Sequence, residues 1–400
     1  MPAEARTQDF LDEVMRFQDF ERTTDHRIVD GIPYFVNQFW TSAQRQSHPL
    51  HEISYRACFK AQLPQFLIAR LSDPGDLVFD PFMGRGTTPL QAAIMGRRPS
   101  GNDVNPLSSM LLRPRLRGVD IHAVAEVLAG IDWTAGEIEW DDLLAFYHPD
   151  TLRGLYSLRN WLSQVLSNEE IIDPVADWIR MVALNRLSGH SPGFLSGRSL
   201  PPNQAVSIKA QCRINERLGI SPPKRDIPGI LLKKSRSLLR MEGPELDGDI
   251  GLHVGPATSV PGMADASVAL IVTSPPFLDV VDYARDNWLR CWFAGIDPNA
   301  LGISMLRTET GWRSMIRDAL VEQARILRPG GHLALEVGEV RKGRVDLERI
   351  VWEAAEGLPL ERIGVLVNEQ SFTKTANCWG IANNKGGTNS NRIVLMRRKS

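Results

Sequence analysis

Apolar and polar positions along the chain follow two periods. Short apolar runs bounded by Gly, Pro or Asp read as buried strands: Leu77–Asp80 after Pro74-Gly75, Val268–Val272, and His332–Val337 after the turn Pro329-Gly330-Gly331. Helical spacing appears at Leu90, Ala93 and Ile94, predicting a helix that follows the turn Gly84-Arg85-Gly86, takes Thr87 and Thr88 as N-caps and stops at Gly96. Met315–Leu327 predicts another helix, Pro99–Val104 a strand with Asp103 at its end, and Arg362–Val367 and Arg392–Met396 the last two strands. Between Gly118 and Gly251 the pattern is mostly helical, with Trp161, Trp178, Ile179, Val182 and Leu184 among its apolar positions. Trp288, Leu289, Trp292 and Phe293 stand at i, i+1, i+4 and i+5, the spacing of a buried helix face. Alternating strands and helices predict a doubly wound, mostly parallel α/β sheet carrying a largely helical insertion. The expected division is an N-terminal extension (1–47), a main domain in two pieces (48–117 and 251–400) and the insertion (118–250).

Composition agrees with a globular chain: 43% of the 400 residues are hydrophobic. No apolar run approaches the roughly 20 residues of a membrane span, and no membrane partner is expected. The start, MPAEARTQDFLDEVMRFQDFE, lacks a secretory pattern, so the expected location is cytoplasmic. Four cysteines at 58, 212, 291 and 378 show no metal-ligand spacing, so neither zinc nor a disulfide framework is expected. The net charge of −1 conceals an uneven distribution. Asp120–Asp142 holds seven acidic residues and no Lys or Arg, whereas Ile208–Arg240 holds nine basic residues against Glu216 and Asp226. The second stretch is a candidate phosphate-facing segment.

The first strand ends in Asp80-Pro81-Phe82-Met83-Gly84-Arg85-Gly86-Thr87-Thr88. A Gly-rich turn at the carboxyl edge of a parallel sheet lets backbone approach a ligand, and an acidic residue about twenty positions later suits ribose hydroxyls. Asp103 has that spacing. The third glycine of a dinucleotide fingerprint is missing, and there is no G-K-[ST] phosphate loop. A nucleoside cofactor without a phosphate to cradle fits best.

Thr273-Ser274-Pro275-Pro276-Phe277 follows the strand Val268–Val272 at the same sheet edge. By itself a Pro-Pro pair is most simply a rigid strand end. Beside the cofactor turn it reads as chemistry. A Ser hydroxyl and a proline-held carbonyl both accept hydrogens from an amine, directing its lone pair at an electrophile, and Phe277 offers a stacking face for a planar base.

The pair of motifs resembles the S-adenosylmethionine-dependent amino-methyltransferases of DNA, which couple D-P-F-x-G-x-G-T-T to [DNS]-P-P-[YF]; the serine form looks like the N4-cytosine branch. The resemblance covers roughly residues 48 to 397, excluding most of the insertion. It implies a Rossmann-like methyltransferase fold and S-adenosyl-L-methionine as cofactor, held by Tyr55, Asp80, Pro81, Phe82, Gly84, Gly86, Thr87, Thr88, Asp103 and Thr273. It also implies catalysis by Ser274, Pro275, Pro276 and Phe277 on a base flipped from double-stranded DNA, with no metal. A cognate restriction endonuclease is a partner to expect. His51–Leu67 resembles the segment that closes over methionine. The order, cofactor motif before catalytic motif, differs from the permuted arrangement. Gly255-Pro256-Ala257-Thr258 stands where the family often has an Asp for the adenine amine.

Candidate substrate contacts are Asp282 and Tyr283 after the tetrapeptide, Asn203 and Gln204 in the insertion, and Lys224, Arg225, Lys233 and Lys234 in its basic stretch. Lys374 and Asn377 lie in the polar loop between the last two strands, which is equally an ordinary Asn-Gly turn. Two rivals stay open: the same chemistry on adenine N6 or on RNA, and a catalytically silent nucleic-acid-binding module.

Overall fold

The computed structural model describes residues 3–400 apart from 42–46, 57, 168–171, 200–204, 247–249, 279–282, 302–305, 307, 339, 341–344 and 370–389. The chain begins with α1 (Ala3–Arg16), whose Phe10 and Val14 are buried, followed by β1 (Asp25–Val29) and β2 (Ile32–Asn37). Asp30 (φ 49°) and Gly31 (φ 79°) make the two-residue left-handed turn that joins such a hairpin. Next come α2 (Gln62–Leu71), β3 (Leu77–Asp80), α3 (Thr87–Ile94), β4 (Arg98–Asp103) and α4 (Leu107–Arg117).

The insertion is helical, as expected: α5 (Ile121–Gly130), α6 (Pro149–Val165), α7 (Pro174–Arg186), α8 (Ile208–Leu218) and α9 (Ile227–Leu238). The remainder comprises β5 (Gly251–Val254), β6 (Val268–Thr273), α10 (Tyr283–Ala294), α11 (Glu309–Ile326), β7 (Leu327–Val337), α12 (Leu347–Ala354), β8 (Leu360–Glu369) and β9 (Ser390–Arg398). Among the described residues no helix is long and apolar enough to cross a membrane.

One nine-stranded sheet runs β1-β2-β8-β9-β7-β6-β3-β4-β5. Its pairs are parallel except β1–β2, β7–β9 and β8–β9. Alternate side chains supply its two faces, as the pleat requires. Phe79, Ile271, Leu333 and Val394 pack with α11 and α12, while Val78, Leu270, Ala334 and Leu395 pack with α1 and α2.

Three expectations are revised. Residues 1–47 are no mere extension, because β2 pairs in parallel with β8 and Phe17 packs on Phe39 at a ring separation of 5.4 Å. Thr87 and Thr88 do not cap α3; Gly86, at φ 76°, takes the cap position without a side-chain bond. The sequence Pro329-Gly330-Gly331 belongs to β7, whose register against β6 shifts between Val268 and Leu270.

The chain order reverses between β3 and its neighbour β6: β3 leads outward to β4 and β5, whereas β6 leads the other way to β7. In such sheets the crevice beyond the strand ends at this reversal is where ligands bind.

Candidate active site

Beyond the ends of β3, β4 and β6 lies a cavity of about 260 Å³. Of the expected site residues, Tyr55, Pro81, Phe82, Gly84, Asp103, Ser274 and Pro276 line it. Cys58, Val104, Asn105, Gly255–Thr258, Leu306 and Met315 line it too; of these the sequence reading had tied to the cofactor only Cys58, within the segment 51–67, and the stretch 255–258.

The Gly-rich turn after β3 is braced by Asp103. Its carboxylate accepts from the Gly84 amide and the Asn105 amide, each at 2.9 Å, so β4 fixes the turn that follows β3. Burial holds the Asp103 carboxyl above the ordinary carboxylate range. Gly84 (φ 51°) needs the left-handed region, and a Cβ there would lie 3.3 Å from the Cys58 sulfur. At Gly86 a Cβ would come within 2.7 Å of Leu112, so both glycines are sterically required. Asn102 closes the rim by donating to the carbonyls of Pro81 (3.3 Å) and Gly255 (2.9 Å).

Asp80, Thr88 and Thr273 stand behind the wall rather than in it. The Thr273 hydroxyl donates to Asp80 at 2.6 Å, and the Thr88 hydroxyl donates to the Val272 carbonyl at 2.9 Å. These bonds tie the end of β6 to β3 and α3, setting the loop that follows β6 against the turn that follows β3. Thr87 accepts from the Arg85 Nε at 3.1 Å. The Arg85 guanidinium also donates to the carbonyls of Ile53 (2.8 Å) and Phe59 (3.1 Å), and buried Arg115 donates to that of Leu50 (3.1 Å). Leu50, Ile53 and Phe59, on either side of Tyr55, are thereby clamped to the turn.

Burial pushes Asp80 up to about 7, against the pull of its hydrogen bonds from Thr273 and the Phe82 amide. A carboxyl raised this way binds a proton in the folded chain at a pH where the unfolded chain has lost it. Stability is therefore lost as pH rises from about 4 to about 7. Asp80→Asn removes that titration while keeping an oxygen for Thr273. The melting temperature of the wild type should fall more steeply between pH 5 and pH 8 than that of the variant, and parallel curves would show that Asp80 is not the titrating group.

The tetrapeptide Ser274–Phe277 has two partners that the sequence did not announce. The Ser274 hydroxyl donates to Glu336 at 2.5 Å, and Asn391 donates to the other oxygen of that carboxylate at 2.9 Å. Burial raises the Glu336 carboxyl above its ordinary range, and those two hydrogen bonds oppose the rise. The second partner is Trp312, fully buried, whose indole N–H donates to the Pro276 carbonyl at 2.8 Å. The Pro275 carbonyl takes no hydrogen bond among the described residues. Phe277 is half-buried against Gly338, where a Cβ would lie 2.8 Å from the ring, and it does not line the cavity.

On α10, Leu289 and Phe293 are buried in the core, and Trp288 and Trp292 pack partly buried against it. Asp282, Asn203, Gln204, Lys374 and Asn377, and the side chain of Tyr283, lie outside the described residues. Three of the four proposed basic contacts are engaged within the protein. Lys224 pairs with Asp150 (2.9 Å), Lys234 with Glu52 (3.3 Å), and the Arg225 guanidinium donates to the Ser196 carbonyl (3.4 Å). Only Lys233 is exposed without such a bond.

Residues 15–128 match a family profile described as DNA methylase. The type II methyltransferase M.MjaII of Methanocaldococcus jannaschii is 33% identical over 81 residues, 20% of this chain and 15% of the relative. M.BsoBI of Geobacillus stearothermophilus, also named a type II methyltransferase, is 31% identical over 90 residues, 22% of this chain and 18% of the relative. The matched segments thus span under a fifth of either curated relative. A candidate DNA modification methylase of Thermus thermophilus, solved with S-adenosyl-L-methionine, aligns at 24% identity and a TM-score of 0.25 over 37% of this chain and 55% of its own. The profile and the two curated matches make this chain similar, over part of its length, to DNA methylases.

Proposed function

We propose that this chain transfers the methyl group of S-adenosyl-L-methionine to the exocyclic N4 amine of a cytosine in DNA. The observation that carries this is the shared cavity: Asp103 of the cofactor turn and Ser274 of the catalytic loop, 171 positions apart in sequence, line the same space.

The lining fits the cofactor. Among the described residues no lysine or arginine lines the cavity, so a phosphate finds no cation there, whereas the carboxylate of Asp103 favours a sulfonium. Val104, Pro256 and Ala257 provide apolar surface for a purine, and Asp103 is the acceptor for ribose hydroxyls. When bound, the cofactor supplies an electrophilic methyl group.

The remaining chemistry belongs to the chain. With its hydrogen committed to Glu336, the Ser274 oxygen keeps its lone pairs for an incoming amine. The Pro275 carbonyl is a second acceptor, while the Pro276 carbonyl is held by Trp312 and serves to fix the loop. Together they localise the amine lone pair toward the methyl group. The proton shed after transfer passes to the Ser274 oxygen as its own proton moves to Glu336, a carboxyl that burial has made a better proton acceptor. The amine reaches this loop only if the base leaves the duplex stack. Serine at the head of the tetrapeptide favours cytosine over adenine. The type II naming of the two relatives supports a restriction-modification setting with a cognate endonuclease.

The test is product identity. The purified chain, unmodified duplex DNA and tritiated cofactor should yield labelled N4-methylcytosine on nucleoside analysis. N6-methyladenine would keep the mechanism and overturn the base. Cofactor binding with no transfer to any DNA would favour the silent module.

A further inference from the structure

The insertion carries basic residues of two kinds. Lys224, Arg225, Lys234 and Arg240 are spent on internal partners, the last pairing with Glu52 at 2.7 Å. Lys209, Arg213 and Arg217 of α8 are all exposed, and so is Arg198. Among the described residues none of these four makes an ion pair. Glu216 on α8 itself, and Asp141 and Asp142 in the 3-10 turn against which α8 packs, form no ion pair with the four among the described residues.

The four cations belong to one surface. Positions 209, 213 and 217 recur every fourth residue and share a helix face. Arg198 joins them because its carbonyl accepts from buried Gln211 of α8 at 2.9 Å. The helix is rigidly seated: Asn215 donates to the Ala145 carbonyl at 2.7 Å, and the Trp288 indole donates to the carbonyls of Ala205 (3.3 Å) and Val206 (3.2 Å), just before α8 begins. Trp288 lies on α10, the helix into which the catalytic loop runs. Half-exposed Trp140 stacks edge-on against Trp288 at 5.8 Å, placing an accessible aromatic beside the charges.

We propose that this face, Lys209, Arg213 and Arg217 with Arg198, tracks the phosphate backbone of duplex DNA while a base occupies the cavity. The proposal rests on the DNA reading above and goes further by naming the surface. The three helix charges span about 12 Å at 1.5 Å per residue. That length matches roughly three to four steps of one strand at about 3.4 Å each. A row of uncompensated cations of this length fits a regular polyanion, and its seat on α10 links backbone grip to the catalytic loop.

The test compares two triple variants of the full chain, K209Q/R213Q/R217Q and K224Q/K233Q/R236Q, which remove equal charge from different faces. Affinity for a fluorescent duplex is measured between about 50 and 200 mM salt. Each lost phosphate contact lowers the slope of log affinity against log salt by about 0.9. The α8 variant should therefore lose about 2 to 3 from the slope and the other less than 1. S-adenosylhomocysteine binding, unchanged in both, establishes that the fold survives. Equal slopes in the two variants, or duplex RNA of the same sequence competing as well as DNA, would overturn the assignment. A wild-type chain that binds cofactor but no duplex overturns the DNA reading itself.

Discussion

Replacing Ser274 by alanine should slow methyl transfer by at least about a hundredfold while leaving cofactor affinity unchanged. Displacing a reacting atom by about 1 Å costs on the order of a hundredfold in rate, and without the hydroxyl the amine loses the acceptor that aims it. The structure adds a second cost. Ser274 occupies one oxygen of Glu336, so the variant leaves a buried carboxyl with Asn391 as its remaining hydrogen-bond partner. Glu336→Gln separates the two effects, since the amide preserves the shape and an oxygen for the Ser274 hydroxyl but accepts no proton. If Glu336 takes the departing proton, this variant should be slow and lose the pH dependence that the wild-type rate shows on the acidic side. If it only holds Ser274 in place, the rate should remain near wild type. Single-turnover assays with tritiated cofactor on unmodified duplex read both variants. A Ser274→Ala enzyme with the wild-type rate would remove the hydroxyl from the chemistry.

What the sequence revealed follows from the range of each constraint. The run Leu77–Asp80 and the turn after it were readable because backbone rules act locally: glycines at 84 and 86 are forced by positive φ and close neighbours, and Asp103 comes at the spacing that one α/β unit imposes. The serine tetrapeptide was readable for the same reason. The hairpin of β1 and β2 was missed although Asp30-Gly31, set between Ile28-Val29 and Ile32, carried its usual turn signal. Its parallel partner β8 lies 331 positions away at the Tyr34 to Val365 pair, a separation over which no local pattern speaks. Thr87 and Thr88 looked like caps by residue type, but the left-handed Gly86 took the cap and freed the hydroxyls for other bonds.

Glu336 and Trp312 were missed for another reason. Their importance lies in what they touch, and both contacts arise only when β6, β7 and α11 are assembled. A weak signal existed at Glu336, a lone carboxyl inside Leu333-Ala334-Leu335-Glu336-Val337, since a charge in a strand buried on both faces calls for a partner. The basic stretch of the insertion illustrates the converse. Counting charges located it, yet pairing separates its members: Arg225 and Lys234 are partly buried on internal acceptors and exposed Lys224 pairs with Asp150, while Lys209, Arg213 and Arg217 are exposed without an ion pair among the described residues.

Asp103→Ala should weaken S-adenosylhomocysteine binding by roughly 10- to 150-fold, corresponding to about 1.5 to 3 kcal/mol for one hydrogen bond to a charged group. Two causes act together. Among the described residues the carboxylate is the one acidic side chain in the cavity wall, so its loss removes the acceptor for ribose hydroxyls. It also accepts from the Gly84 and Asn105 amides, so alanine leaves two backbone donors without their partner and loosens the turn that shapes the cavity. Asp103→Asn distinguishes these, because its single oxygen satisfies one amide and preserves much of the brace while the negative charge disappears. A brace-dominated site predicts that asparagine binds nearly as well as wild type; a site dominated by the ribose contact predicts that asparagine falls close to alanine. Calorimetric titration measures both, with melting temperatures recorded in parallel to establish that each variant is folded. If the alanine variant bound S-adenosylhomocysteine with the wild-type dissociation constant, Asp103 would have no part in holding the cofactor, and the cavity would need a different occupant.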